Sequence, residues 1–307
     1  MTKIEAVDAH HHLWDLEENS YPWLNPNQEA ELLPGFSDLC QDYLVEDYRS
    51  DCANQNIVKS VHVQAEHDES DPVRETAWLQ NVADHPGSGG FPHAIVAWAD
   101  LSKSGVEAVL EGHREFANLR GIRQMLNYDP NADATSSDSE ILVSHGNLLE
   151  HEGWLRNFSL LRRYDLCFDM QLFPWQTDAA VKLIASHSDT QIILNHTLMP
   201  VDRSEEGLAL WRRSLETYAD LPNVAIKISG LGMAEGGWNE AMNRRLATET
   251  LEIFGPERCL FTSNFPVDRL MSDYDTIWTL FREIVAPLSE AEQHAILHGN
   301  AERIYQI

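Results

Sequence analysis

The stretch IEAVDAHHHLWD, Ile4 to Asp15, decides how the chain is read. It opens as a short apolar run and closes in three histidines. A doubly wound sheet usually places a Gly-rich phosphate turn after its first strand, and here histidines stand in that place. Imidazoles at a strand end fit a barrel instead, because a barrel gathers its functional groups at the carboxyl ends of its strands. Residues two apart in a strand point the same way, so His10 and His12 are expected to face one pocket while His11 faces away.

Seven further runs of the same kind follow, which makes eight: Ile4–Ala9, Val58–Gln64, His93–Ala99, Leu119–Met125, Leu166–Leu172, Gln191–Asn195, Val224–Ser229 and Cys259–Ser263. Most are continuously apolar, as parallel strands buried on both faces are. Helical patterns lie between them at Val73–Ala83, Gly105–Phe116, Asp178–Ser186, Gly207–Ala219, Asn239–Phe254 and Tyr274–Val285. Asp71-Pro72 opens the first and His85-Pro86-Gly87 closes it. Eight strands with interleaved helices in 307 residues predict a single-domain α/β fold, a (β/α)₈ TIM barrel over residues 1–307. The polar stretch Asp129–Glu140 reads as a surface loop on the active-site side, with an extra helix near Leu148–Leu161.

Composition narrows the partners. With 22 basic against 49 acidic residues, the net charge of −27 repels polyanions, so neither nucleic acid nor anionic membrane is an expected partner. A small-molecule substrate is expected, and a homo-oligomer is left open. Four cysteines without C-x-x-C spacing fit free thiols in a reducing compartment. No apolar leader or membrane-length window is seen, so the expected location is cytoplasmic.

The strand ends supply the chemistry. His196 at the end of strand six adds a third imidazole to His10 and His12, and imidazoles serve as metal ligands or proton-transfer groups. Gln64 and Glu66 end strand two, where Glu66 can act as a general base or ligand. Arg123 on strand four suits carboxylate binding. Asp169 and Gln171 lie on strand five, followed by an apolar Phe173-Pro174-Trp175. Lys227 interrupts the apolar strand seven, either to hold an anionic or carbonyl oxygen of a substrate or to form a structural ion pair. Asn264 and Asp268 follow strand eight. No P-loop, G-x-S-x-G elbow or dinucleotide fingerprint occurs, and no good nucleophilic Ser or Cys is offered. Hydrolysis by an activated water is the chemistry best served.

Four motifs in order, VDAHHHLWD (7–15), LNHTLMP (194–200), KISGL (227–231) and LFTSNFPVDRL (260–270), resemble the amidohydrolase superfamily. They are most similar to its amidohydrolase-2 branch, which includes sugar-lactone and pyrone-dicarboxylate lactonases. The resemblance runs from Val7 to Tyr305. It implies a barrel hydrolase in which water attacks a lactone or related carbonyl. His10 and His12 match the family's strand-one pair, and His196 its strand-six histidine. Asn264 falls where most members carry an aspartate that accepts the water's proton, and asparagine cannot be a general base. A catalytic set of His10, His12, His196, Glu66, Asn264 and Asp268 is therefore expected, with Glu66 first among the replacement bases. Gln64, Arg123, Gln171 and Lys227 are expected to bind substrate. No cofactor is required, or a divalent metal such as zinc is weakly held by His10, His12 and His196. Two alternatives stand beside this: a metal-dependent non-oxidative decarboxylase, which the same branch contains, and a binding barrel without turnover.

Overall fold

Eight parallel strands hydrogen-bond in sequence order from β1 to β8. They are β1 Ala6–His11, β2 Ile57–Val63, β3 Ala94–Trp98, β4 Leu119–Met125, β5 Cys167–Gln171, β6 Ile192–Leu194, β7 Val224–Ile228 and β8 Cys259–Phe261. The computed structural model describes residues 3–27, 33, 35–131, 146–233 and 237–307. The sheet closes at its carboxyl end, where the Asn264 N–H donates to His10 O (2.8 Å) and the His12 N–H to Phe265 O (2.7 Å). The expected TIM barrel is the fold.

The helices that cross between strands and flank them are α1 Val45–Asp51, α2 Pro72–Asp84, α3 Val106–His113, α4 Glu152–Arg163, α5 Thr177–Ser186, α6 Glu205–Ala219, α7 Glu240–Phe254 and α8 Tyr274–Val285. Their starts carry the caps that satisfy free N–H groups: Ser204, Asn239 and Asp273 each accept from a backbone N–H three residues on. Short α9 Glu290–His294, a π-helical turn Ala295–Gly299 and α10 Asn300–Tyr305 follow.

Two expectations need correction. The helix near Leu148–Leu161 is not an insertion. It is α4, the regular crossover from β4 to β5, preceded by a short 3₁₀ turn, and its Trp154 donates to Gln124 Oε1 on β4 (2.8 Å). The loop before it falls mostly at 132–145, outside the described residues. The first strand, expected to stop at Ala9, runs on through His10 and His11, because its register against β2 slips between Asp8 and His11. That bulge turns His10 and His12 to the same interior as Val7 and Ala9, while Asp8 and His11 face the surrounding helices.

Below the mouth an apolar cluster surrounds the buried Lys227–Asp169 pair. Val7, Ala9, Val61, Val63, Ala94, Val96, Ile193, Ala225 and Leu260 form it, and Ala301, Ile304 and Tyr305 of α10 close the floor. Among the described residues, no helix is long and apolar enough to cross a membrane.

Candidate active site

Three imidazoles meet where β1 and β6 end. The His10 ring lies 5.1 Å from that of His12 and 4.6 Å from that of His196, centroid to centroid. All three are buried. Burial drives each well below the usual imidazole range, aided at His10 by Lys227 and at His12 and His196 by Arg123. They are neutral near pH 7. Both ring nitrogens of His10 lack a protein partner. Such groups inside a mouth are where a substrate or water is received.

His12 is the best defined of the three. Its Nδ1 lies 2.7 Å from Val63 O. A carbonyl only accepts, so Nδ1 carries the hydrogen and Nε2 a free lone pair. Nε2 faces Asn264 Oδ1 at 3.4 Å. Asn264 has a positive φ of 57°, and its Nδ2 donates to Asp268 Oδ1 (2.7 Å). Burial pushes the Asp268 carboxyl up to about 7. His10, His12, His196, Asn264 and Asp268 thus form one contiguous cluster.

His196 opens a left-handed turn. His196, Thr197, Leu198 and Met199 have φ of 51°, 57°, 59° and 48°, a costly run for residues with a Cβ. The fold over-determines it: Trp211 of α6 donates to Thr197 O (2.7 Å), and Thr197 Oγ1 donates to Ser229 O (3.1 Å). His196 Nδ1 pairs with Ser229 Oγ (3.1 Å). Gly230 sits against this ring at φ 63°; a Cβ there would lie 2.9 Å from that of His196.

Glu66 and Gln64 form a second cluster. Gln64 Nε2 donates to Glu66 Oε1 (2.5 Å), and its Oε1 accepts the Glu66 N–H (2.6 Å). The Gln64 amide is therefore spent on Glu66, whose φ of 55° turns it off the strand. Gln64, expected to bind substrate, is joined to Glu66 by both ends of its amide. Glu66 is half-buried; burial raises its carboxyl and Arg123 opposes the rise. Its side-chain bond is to Gln64, and none to an imidazole is seen. Arg123 donates to Gln171 Oε1 (3.1 Å) and Gln64 O (2.6 Å), and its buried Nε–H has no protein partner. Gln171, through that bond, orients Arg123.

Lys227 takes the structural option. Its ammonium is paired with Asp169, and both side chains are fully buried. Its charge acts on His10, whose ring it helps to keep neutral. In the run after β5, Phe173 is buried while Trp175, 41% exposed, stacks on it and donates to Tyr128 O (2.8 Å).

Two buried carboxylates escape the sequence reading. Asp8 accepts from Ser263 N (2.9 Å), Ser263 Oγ (2.5 Å), Tyr274 OH (2.9 Å) and Tyr48 OH (3.1 Å), pinning β8 beside Asn264. Glu75 reads as an ordinary first-turn acid of α2, yet it is buried and accepts the Ala65 N–H (3.0 Å). Burial pushes its carboxyl from 4.5 to about 8. A raised acid binds its proton more tightly when folded. Its stabilisation is complete below about pH 4.5 and is lost as pH rises through about 8. Glu75→Gln should therefore gain on the wild type between pH 5 and 9, by an amount on the order of a few kcal/mol. Urea unfolding at the two pH values checks this; a pH-independent difference would contradict it.

His10, His12 and His196 are the residues that would hold a divalent metal here. The fourth position is a carboxamide, and Arg123 and Lys227 place two cations beside the imidazoles. With the rings placed as they are, no group of three His, Cys, Asp or Glu side chains among the described residues is arranged to hold a metal ion.

Residues 7–307 match the amidohydrolase-2 family. The chain is 40% identical to an uncharacterized protein of Sinorhizobium fredii, covering 100% of both. It is 28% identical to an L-fucono-1,5-lactonase of Burkholderia multivorans, over 98% of this chain and 96% of that one. A crystal structure of an amidohydrolase from Burkholderia multivorans with bound zinc superposes with a TM-score of 0.79 at 26% identity, covering 99% of each chain. The chain belongs to the amidohydrolase-2 family.

Proposed function

We propose that this protein is a hydrolase that opens a small lactone, of a sugar or organic acid, with a water activated at His12 and without a required metal. The observation that carries this reading is the fixed tautomer of His12, whose bare Nε2 faces Asn264 Oδ1 in a buried mouth. A water there donates one hydrogen to Nε2 and the other to Oδ1, which directs its own lone pair at a bound carbonyl. His12 takes the proton as the carbon–oxygen bond forms. Asn264 supplies orientation in place of the base it cannot be, and Asp268 holds Asn264 by its Nδ2. The partnerless His10 and the Arg123 guanidinium stabilise the oxyanion. Collapse of the tetrahedral intermediate expels the ring oxygen, which takes the proton back from His12.

The relatives support the substrate class: one is a lactonase for L-fucono-1,5-lactone, and an L-rhamnono-gamma-lactonase of Scheffersomyces stipitis is 25% identical over 67% of this chain. The cation-flanked, carboxamide-bearing cluster argues against a decarboxylase that needs a firmly bound metal. A panel of 1,4- and 1,5-aldonolactones followed by acid release tests the reading. Turnover of at least one member is expected, and silence across the panel with measurable lactone binding would replace it by a binding barrel.

A further inference from the structure

The closed end of a barrel is ordinarily the place for packing, yet here the floor is connected to the mouth. Tyr305 of α10 lies fully buried in the inner cluster. Its hydroxyl donates to Asp169 Oδ1 (2.8 Å). The other oxygen of that carboxylate accepts from the Lys227 ammonium and from Asn195 Nδ2 (3.1 Å). The Lys227 ammonium also lies 5.1 Å from the Tyr305 ring centroid, within cation–π reach. Packing alone would be served by a phenylalanine. Without the hydroxyl, Asp169 Oδ1 would be a buried carboxylate oxygen lacking its donor, which is costly, and the group would be free to turn.

We propose that Tyr305 is a positioning residue for the reaction at the opposite end of the barrel. Its hydroxyl fixes the Asp169 carboxylate, and Asp169 fixes Lys227 beneath His10 and Asn195 at the end of β6. Asn195 is where the left-handed turn that aims His196 departs; its carbonyl accepts the Leu198 N–H (3.0 Å). The functional part of this proposal rests on the mouth being the reaction site; the Asp169 arrangement does not.

Side-chain ¹⁵N-lysine labelling tests the arrangement without a substrate. The chain has five lysines, and Lys227 is the fully buried one. One slowly exchanging ammonium resonance is expected near neutral pH, with cross-relaxation to the Tyr305 ring. Tyr305→Phe should shift or broaden it, and Ile304→Val, a packing change on the same helix, should not. An unmoved resonance in Tyr305→Phe, or no contact to the ring in the wild type, overturns the proposal. The kinetic arm uses a turned-over lactone. Tyr305→Phe should lower kcat about tenfold with KM within about twofold, while Ile304→Val keeps kcat. Wild-type kcat in Tyr305→Phe, or an equal loss in both variants, overturns the positioning role. If no lactone is turned over, the reading of the mouth fails, and the lysine resonance still decides whether Tyr305 holds the pair.

Discussion

Replacing His12 by Gln is expected to lower kcat about 10³-fold while KM changes little, because general-base catalysis contributes about 10²–10⁴. Glutamine keeps a donor for Val63 O and much of the ring's volume, so the mouth should keep its shape. What it lacks is an atom that accepts a proton from water. Glu66→Gln separates this from the alternative base. The Glu66 carboxylate is bonded to the Gln64 amide and its charge is met by Arg123, so that variant should lose no more than about tenfold. Steady-state kinetics of the two variants side by side checks both statements. A nearly inactive Glu66→Gln with an active His12→Gln would transfer the base to Glu66.

Asp8→Ala is expected to destabilise the fold by about 3–5 kcal/mol. The carboxylate receives hydrogen bonds from the segment after β8, from α1 and from α8 at once through Ser263, Tyr48 and Tyr274. Removing it leaves two tyrosine hydroxyls and a serine buried without their acceptor, and opens a void between the barrel wall and its helices. For a chain of this length that corresponds to a fall in Tm of roughly 5–8 °C. Thermal unfolding measures it. A fall within about 1 °C would mean that the seam between β1 and β8 is held by the backbone alone. Because Ser263 precedes Asn264, the same variant should also lose activity at temperatures where it remains folded.

The barrel is legible because most parallel strands buried on both faces leave continuous apolar runs, and even β4, interrupted by Arg120, Arg123 and Gln124, shares both ends with the run read at Leu119–Met125. Strand one is harder. Its bulge depends on pairing with β2, which no local pattern shows, so a local reading ends the run before the histidines that the strand contains. The pairing of His10 with His12 survives because both lie on the same interior face once the bulge has formed. The three imidazoles and Asn264 are legible by type and place. The employment of Gln64, Gln171 and Lys227 is not, since each is decided by one partner elsewhere: Glu66, Arg123 and Asp169. Asp8, Glu75 and Tyr305 are invisible for the same reason. An acid in a strand, an acid in a first helical turn and a tyrosine in a last helix carry no local mark of the long-range bonds that define them. The left-handed turn at His196–Met199 is unreadable too, because it contains no glycine and is imposed by Trp211 and Ser229 from outside.

Activation of water at an imidazole, with no strand-eight carboxylate and no required metal, has one most direct test. Acid release from the best aldonolactone of the panel is measured with protein stripped by a chelator and assayed for metal by elemental analysis. The stripped wild type is expected to keep its kcat within about twofold, and added zinc is expected not to raise it. Activity that vanishes on stripping and returns in proportion to bound zinc would contradict a metal-free reaction at His12.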